Sequence, residues 1–318
     1  MFNTAGTGGG VCALGPATIT NCIFVGNLVE HDEYGGLGGG LAICGTGAAT
    51  IVNCVIIDCE SQNLGGAVYV DEDSSASFIN CTLAGNQALD GSGVYSADNG
   101  LATIVNSIIS HGVDGGAAAG SGDIQISYSD VFGNAGGDWI GPIANQQGIQ
   151  GNISEAPLFV APGAFDVHLS RNSPCRDSGD SSCAGLPAED CEGDPRIAGG
   201  QIDMGADEFY YHLYHTGDAI PGGTVEIKIV GYFQAPVTLG WGLAIIDPPF
   251  PTPHGDLYIW PIARWCFIGN IPPSGVLSIP VTLSSNWQSG DHAPLQAMVG
   301  PWGGTWTTLT NLDDVTVE

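Results

Sequence analysis

An eleven-residue pattern of polar and apolar positions recurs along this chain: ATITNCIFVGN at 17–27, ATIVNCVIIDC at 49–59, ASFINCTLAGN at 76–86 and ATIVNSIISHG at 102–112. Each copy alternates up to an asparagine, then resumes with a small residue and a second apolar run. A degenerate fifth copy, IQISYSDVFGN at 124–134, carries Tyr128 at the asparagine position. Between copies lies a glycine-punctuated apolar segment: GGGVCAL at 8–14, GGGLAIC at 38–44, GGAVYVD at 65–71 and GSGVYSA at 91–97. Period-two alternation with β-branched residues predicts short strands, and glycine at this frequency excludes helices of useful length. The asparagines fall at 21, 53, 80 and 106, a period of 26–32 residues. A unit this short cannot bury its apolar face alone, so successive units must stack.

Helical solenoids are excluded by the glycines, and leucine-rich repeats by the leucine spacing. What remains is a right-handed parallel β-helix with one repeat per rung and rungs about 4.8 Å apart. In that fold Ile19, Ile51, Phe78, Ile104 and Ile126 stack as an inward aliphatic ladder, and Cys22, Cys54, Cys81, Ser107 and Ser129 as a ladder of small residues. Asn21, Asn53, Asn80 and Asn106 are expected to form a structural ladder, each amide bonding its neighbour and the turn backbone, because a buried bend must satisfy its peptide groups. From residue 135 the repeat decays, and the stretch to 208 reads as last rungs and a cap on the coil's end. Beyond Phe209, apolar runs such as TVEIKIVGY, PVTLGWGLAII and GVLSIPVTL alternate between the turn signals PGG, PPSG and GPWGG. About seven short strands spaced this way suggest an antiparallel β-sandwich. The chain therefore reads as all-β, with a β-helix over 1–208 and a sandwich over 209–318.

Charge narrows the partners. The chain has 33 acidic residues against 5 basic ones, and no Lys or Arg precedes Arg171. A surface this negative repels phosphate backbones and anionic headgroups, which argues against nucleic acid. No apolar stretch is long enough to span a bilayer. Ten cysteines without the CxxC pairs of a zinc site point to an oxidising, extracellular or cell-surface setting. The start, MFNTAGTGGGV, lacks a signal peptide's basic and apolar regions, so an exported protein would have its signal segment outside this chain.

The repeats, together with SPCRDSGD at 173–180 and DCEGDPRIAGGQIDMGADEF at 190–209, resemble the right-handed parallel β-helix repeat proteins of bacterial surfaces and secretions. The two stretches together are similar to the SPC-x-D-x-G … D-x-x-G-x-PR … G … D-x-GA-x-E ending of choice-of-anchor-type members. The resemblance implies a secreted or surface-attached protein with a small C-terminal β domain; some relatives of the fold cleave polysaccharides.

Several residues are candidates for specific roles. Cys175, Cys183 and Cys191 share one loop-rich stretch, with Cys183–Cys191 the expected disulfide and Cys175–Cys183 the alternative. Arg196 lies close in sequence to Asp203, Asp207 and Glu208, an expected ion pair closing the coil end. Asp71, Glu72 and Asp73 form the best candidate calcium cluster, against a solvated turn. Trp302 and Trp306 in GPWGGTW could stack sugars or pack in a core. A glycoside hydrolase needs two placed carboxylates, and Asp114, Asp123, Asp130 and Asp138 cluster where the coil becomes irregular. The reading carried forward is a non-catalytic surface or adhesive protein, able to assemble end to end into filaments. A polysaccharide-active enzyme and a carbohydrate-binding module are the alternatives.

Overall fold

A computed structural model describes the chain except residues 1–2, 31–34, 171, 194–195, 198–200, 210–212, 231–234, 243, 253–254, 260–261, 272–275, 300–307, 311–312 and 317–318. Residues 1–209 and 210–318 form two compact units. Among the described residues no helix is long and apolar enough to cross a membrane.

The first unit is a coil of five rungs built from three five-stranded parallel sheets. Sheet I holds Val11–Ala13, Leu41–Ile43, Val68–Val70, Val94–Ser96 and Ala118–Gly120. Sheet II holds Ala17–Thr20, Ala48–Val52, Ser75–Ile79, Leu101–Val105 and Asp123–Ser127. Sheet III holds Ile23–Val25, Val55–Ile57, Thr82–Ala84, Ile108–Ser110 and Asp130–Phe132. The register follows the sequence repeat: Ile19, Ile51, Phe78, Ile104 and Ile126 pair in turn across sheet II and line the core.

Two tight bends make each rung turn. Between sheets II and III sit Asn21, Asn53, Asn80, Asn106 and Tyr128, all with φ of 47–52°. Asparagine is the non-glycine residue best suited to that left-handed conformation. After sheet III the bend residue is Gly26, Asp58, Gly85, His111 or Gly133, again with positive φ. The next position is Asn27, Cys59, Asn86, Gly112 or Asn134, and here lies the coil's inner amide ladder. The Asn86 side chain accepts from Cys59 N–H (2.9 Å) and donates to the Ile56 carbonyl (2.9 Å), while Asn134 repeats this with Gly112 N–H and the Ile109 carbonyl. Each closes the bend of the rung before it.

The coil's C-terminal end is closed by residues 135–152, a shorter segment than expected. Ile143 and Trp139 join the core there. Gln146 accepts from Ile126 N–H and donates to the Ile124 carbonyl, both 2.7 Å; Asn152 accepts from Ser129 N–H and donates to the Ile126 carbonyl. These side-chain amides satisfy the last rung's edge.

The segment expected as the end cap instead runs back along the side of the coil. Its outward leg meets rung five at Cys175, against Asp130. It meets rung four where Asp180 bonds Asn106, and rung two where the Glu189 carbonyl accepts from Asn53. The return leg bonds Thr82 Oγ1 through Ala206 N–H and the Asn106 carbonyl through Gly205 N–H. The two legs pair at Gly179–Ile202 and Cys175–Met204. This strap, with a hairpin of Phe159–Ala161 and Asp166–Leu169, covers the outward face of sheet III: Val55, Ile57 and Ala84 cluster with Val167 and Ala206. The cause is visible in the strands. Val55–Ile57, Thr82–Ala84 and Ile108–Ser110 are buried at every position, and a strand apolar on both faces must be covered on both.

The second unit is antiparallel. Leu213–Thr216, Thr224–Val230 and Val276–Thr282 form one sheet. Pro236–Gly242 lies between Ile262–Asn270 and His292–Val299 in another, with Thr308–Leu309 and Asp313–Thr316 along the last. Ile245–Thr252 and Gly255–Ile259 make a separate pair. Val225, Ile227 and Ile229 of the first sheet share an apolar core with Val237, Ala297 and Val299 of the second.

Candidate functional site

The repeat asparagines turn outward, toward the strap. Only one amide-to-amide rung of the expected ladder forms, Asn53 Nδ2 to Asn21 Oδ1 at 3.2 Å. Asn53 also donates to the Glu189 carbonyl (2.8 Å), Asn80 to the Asp203 carbonyl (3.1 Å) and Asn106 to the Asp180 carbonyl (3.1 Å). Asn106 Oδ1 accepts from Asp180 N–H in return. The reason is geometric: a left-handed bend points its side chain away from the core, and strap carbonyls then stand closer than the neighbouring amides. Asn80 and Asn106 are fully buried by that contact.

The strap is held by ions arranged differently from the expected pair. Arg196 is buried, and its guanidinium donates to the carbonyls of Ala206 (2.8 Å), Asp203 (3.4 Å) and Gly205. The carboxylates are taken up by backbone amides. Asp203 accepts from Asp177 N–H (2.6 Å) and Phe209 N–H (2.7 Å), Glu208 from Asp203 N–H (2.9 Å) and Asp190 from Glu208 N–H (3.0 Å). Asp207 accepts from Leu169 N–H at 2.9 Å. Loops carry unpaired amides and carbonyls, and a guanidinium and a carboxylate satisfy one class each. Burial pushes Asp203 and Asp207 up to about 6, and it lowers Arg196 against the opposing pull of Glu208, Asp190, Asp207 and Asp203.

One cluster in the strap was not singled out by the sequence reading. His168, on the strand Asp166–Leu169, places Nδ1 2.5 Å from Asp166 Oδ1 and Nε2 3.0 Å from Glu192 Oε2. The Asp166 and Glu192 contacts together push the imidazole up to about 11. His168, Glu192 and Asp207 bring one ligand atom each within 4.8 Å of one another, the one such group among the described residues. The available signal was the alternation in DVHL, which places Asp166 and His168 on one face of a strand.

The remaining candidates do not converge. Asp130 is fully buried, accepts from Glu155 N–H (3.1 Å), and lies 3.4 Å from the Cys175 thiol. Asp138 bonds the amides of Gly133 and Asn134. Exposed Asp114 and Asp123 bond Gln87 and Gln125. Asp71 accepts from the Tyr69 hydroxyl at 3.1 Å, and Asp71, Glu72 and Asp73 do not meet as a ligand group. All ten cysteines are free thiols, so the expected Cys183–Cys191 disulfide is not formed. Cys175 is committed to Asp130, Cys191 packs on the Val55–Ile57 cluster, and the Cys183 thiol bonds the Ala184 carbonyl. Trp302 and Trp306 lie outside the described residues.

No curated protein matches the chain. Residues 4–152 match the family model of the right handed beta helix region. That span runs from the first rung through the end closure and stops before the strap. Together with the parallel register of sheets I, II and III, the match supports a parallel β-helix for this part of the chain.

Proposed function

We propose that the chain is an exported, non-catalytic protein of the cell surface or extracellular space, in which the coil is a rigid scaffold for adhesion or assembly. The observation that carries this reading is the fate of the acidic groups. Of the carboxylates nominated for hydrolysis, Asp130 is buried beneath the strap and Asp138 is spent on backbone amides. A retaining or inverting glycosidase needs two carboxyl groups facing one bond across a cleft, and Asp114 and Asp123 each bond a neighbouring glutamine instead. The strap, by contrast, ties rungs two to five together along one side, which suits a load-bearing element.

A polysaccharide is the favoured partner. On the outward side of sheet I, the partly exposed Tyr95 stacks on the buried Tyr69 with centroids 5.8 Å apart, and a tyrosine held in this way can pack against a sugar ring. Assembly would use the opposite resource. Among the described residues Val11–Ala13, Ala17–Thr20 and Ile23–Val25 are edge strands of their sheets, and an edge of this kind is where a second copy could add strands. Incubation with a panel of polysaccharides, with product release and retention both measured, tests the proposal. Retention without release of reducing ends or unsaturated products is expected, with retention reduced in Tyr95→Ala. Turnover of any substrate would overturn it.

A further inference from the structure

We propose that His168, Glu192 and Asp207 form a binding site for a divalent transition-metal ion of the zinc class, which ties the hairpin to both legs of the strap. Three observations carry it. The ligand atoms already converge within 4.8 Å, with Nε2 and Oε2 3.0 Å apart. In a tetrahedral zinc site with bonds of about 2.0–2.2 Å, ligand atoms stand about 3.3–3.5 Å from each other, so closing on an ion needs side-chain adjustments and no backbone rearrangement. The imidazole is also held for the task. Asp166 Oδ1 takes Nδ1–H at 2.5 Å and the His168 backbone N–H at 3.1 Å, which aims Nε2 at Glu192. A carboxylate behind a histidine that presents its other nitrogen is the usual outer shell of a metal-bound imidazole. Finally, the three ligands differ in exposure as an open site requires. Asp207 is buried and pinned through one oxygen by Leu169 N–H, while His168 and Glu192 are half-exposed and give access from solvent.

The donor set chooses the metal. Calcium and magnesium favour oxygen-only shells, whereas one imidazole with two carboxylates suits zinc and its neighbours, with water completing the sphere. The site thus differs in place and in chemistry from the calcium cluster that the sequence suggested at 71–73. A bound ion would join the hairpin at residue 168, one leg of the strap at 192 and the other at 207. Those three points belong to different segments of the chain, and the cover over the outward face of sheet III depends on their staying together.

The test uses the full chain, stripped with a chelator and titrated with Zn2+ by calorimetry and with Co2+ by visible absorption. One ion per chain is expected, with Ca2+ giving no heat at the same concentration. Affinity should fall at least tenfold in Glu192→Gln and in His168→Asn, both at partly exposed positions where folding can be checked by circular dichroism. At a hundredfold excess over Kd, Zn2+ should raise the melting midpoint of the first unit by roughly 5–10 °C. Because Cys12 and Cys44 stand 4.0 Å apart on the outside of sheet I, a Cys12→Ser/Cys44→Ser variant separates thiol binding from the proposed site and should leave the affinity unchanged. Absence of binding up to millimolar Zn2+, equal affinity in the Glu192 and His168 variants, or loss of binding in the cysteine variant would each overturn the proposal.

Discussion

Asp130→Asn should stabilise the first unit, and more so as the pH rises. Asp130 occupies rung five of a column whose earlier members are Ile23, Val55, Thr82 and Ile108. A carboxylate in that place is covered by the strap, and loss of hydration pushes it from 3.8 up to about 7 against the help of the Glu155 amide. Between those two values the folded chain keeps a proton that the unfolded chain has lost. Stability therefore falls as pH rises through this window and levels off above it. With each pH unit worth about 1.4 kcal/mol, ionising Asp130 costs the fold about 4 kcal/mol at pH 8. At pH 5, only about 1.2 above the unfolded value, the cost is about 1.6 kcal/mol.

Asparagine carries no charge at either pH and keeps an oxygen for Glu155 N–H. Any packing cost of the exchange is the same at both pH values and cancels from the comparison. Asp203 and Asp207, raised in the same direction, are present in both proteins and cancel too. The advantage of Asp130→Asn over the parent should thus grow by about 2.5 kcal/mol from pH 5 to pH 8. Urea unfolding read by hydrogen exchange in peptides covering 102–134 measures it on the coil alone. A pH-independent difference would mean that Asp130 is hydrated, and that the strap does not seal sheet III.

Four further outcomes are expected. Asn86→Ala, which orphans Cys59 N–H and the Ile56 carbonyl, should cost about 2–4 kcal/mol in chemical denaturation. At Asn80 both glycine and alanine lose the bond to the Asp203 carbonyl, but only alanine resists a φ of 51°, so Asn80→Ala should be worse than Asn80→Gly by about 1 kcal/mol. Arg196→Met should cost about 3–5 kcal/mol by leaving buried carbonyls and carboxylates without their cation, seen as proteolytic cutting within 173–209 while rungs one to five survive. A maleimide reagent should label exposed Cys12 in the native protein and leave Cys54, Cys59, Cys81 and Cys175, all buried, unlabelled until denaturant is added.

The coil could be read from sequence because its interactions are periodic. Ile51 meets Phe78 and Phe78 meets Ile104 for the same reason that the text repeats, so register and core followed from alignment alone. The inner amide ladder was equally available, in the GN that ends ATITNCIFVGN, ASFINCTLAGN and IQISYSDVFGN. The more regular asparagine stands six places earlier. Both asparagines serve a bend, but the backbone decides which side chain turns inward: the one at positive φ points out, and the one just after the second bend points in.

The strap was harder for a different reason. Its partners lie 74 residues away at Asn106–Asp180, 123 at Asn80–Asp203 and 136 at Asn53–Glu189, and no periodicity links such pairs. Motif letters could announce a charged, loop-rich closing segment without saying which surface it closes. One clue to that surface was present in CVII and CTLA, runs without the polar alternation of a sheet facing water on one side. A coil whose third sheet is apolar on both faces is unfinished until something covers the outer one. The same demand explains why the covering segment is ionic within itself: the described residues of 173–209 form no regular strands there, so their amides and carbonyls need side-chain partners. Arg196 and the carboxylates at 190, 203, 207 and 208 supply those partners where a sheet's ladder would otherwise have done so.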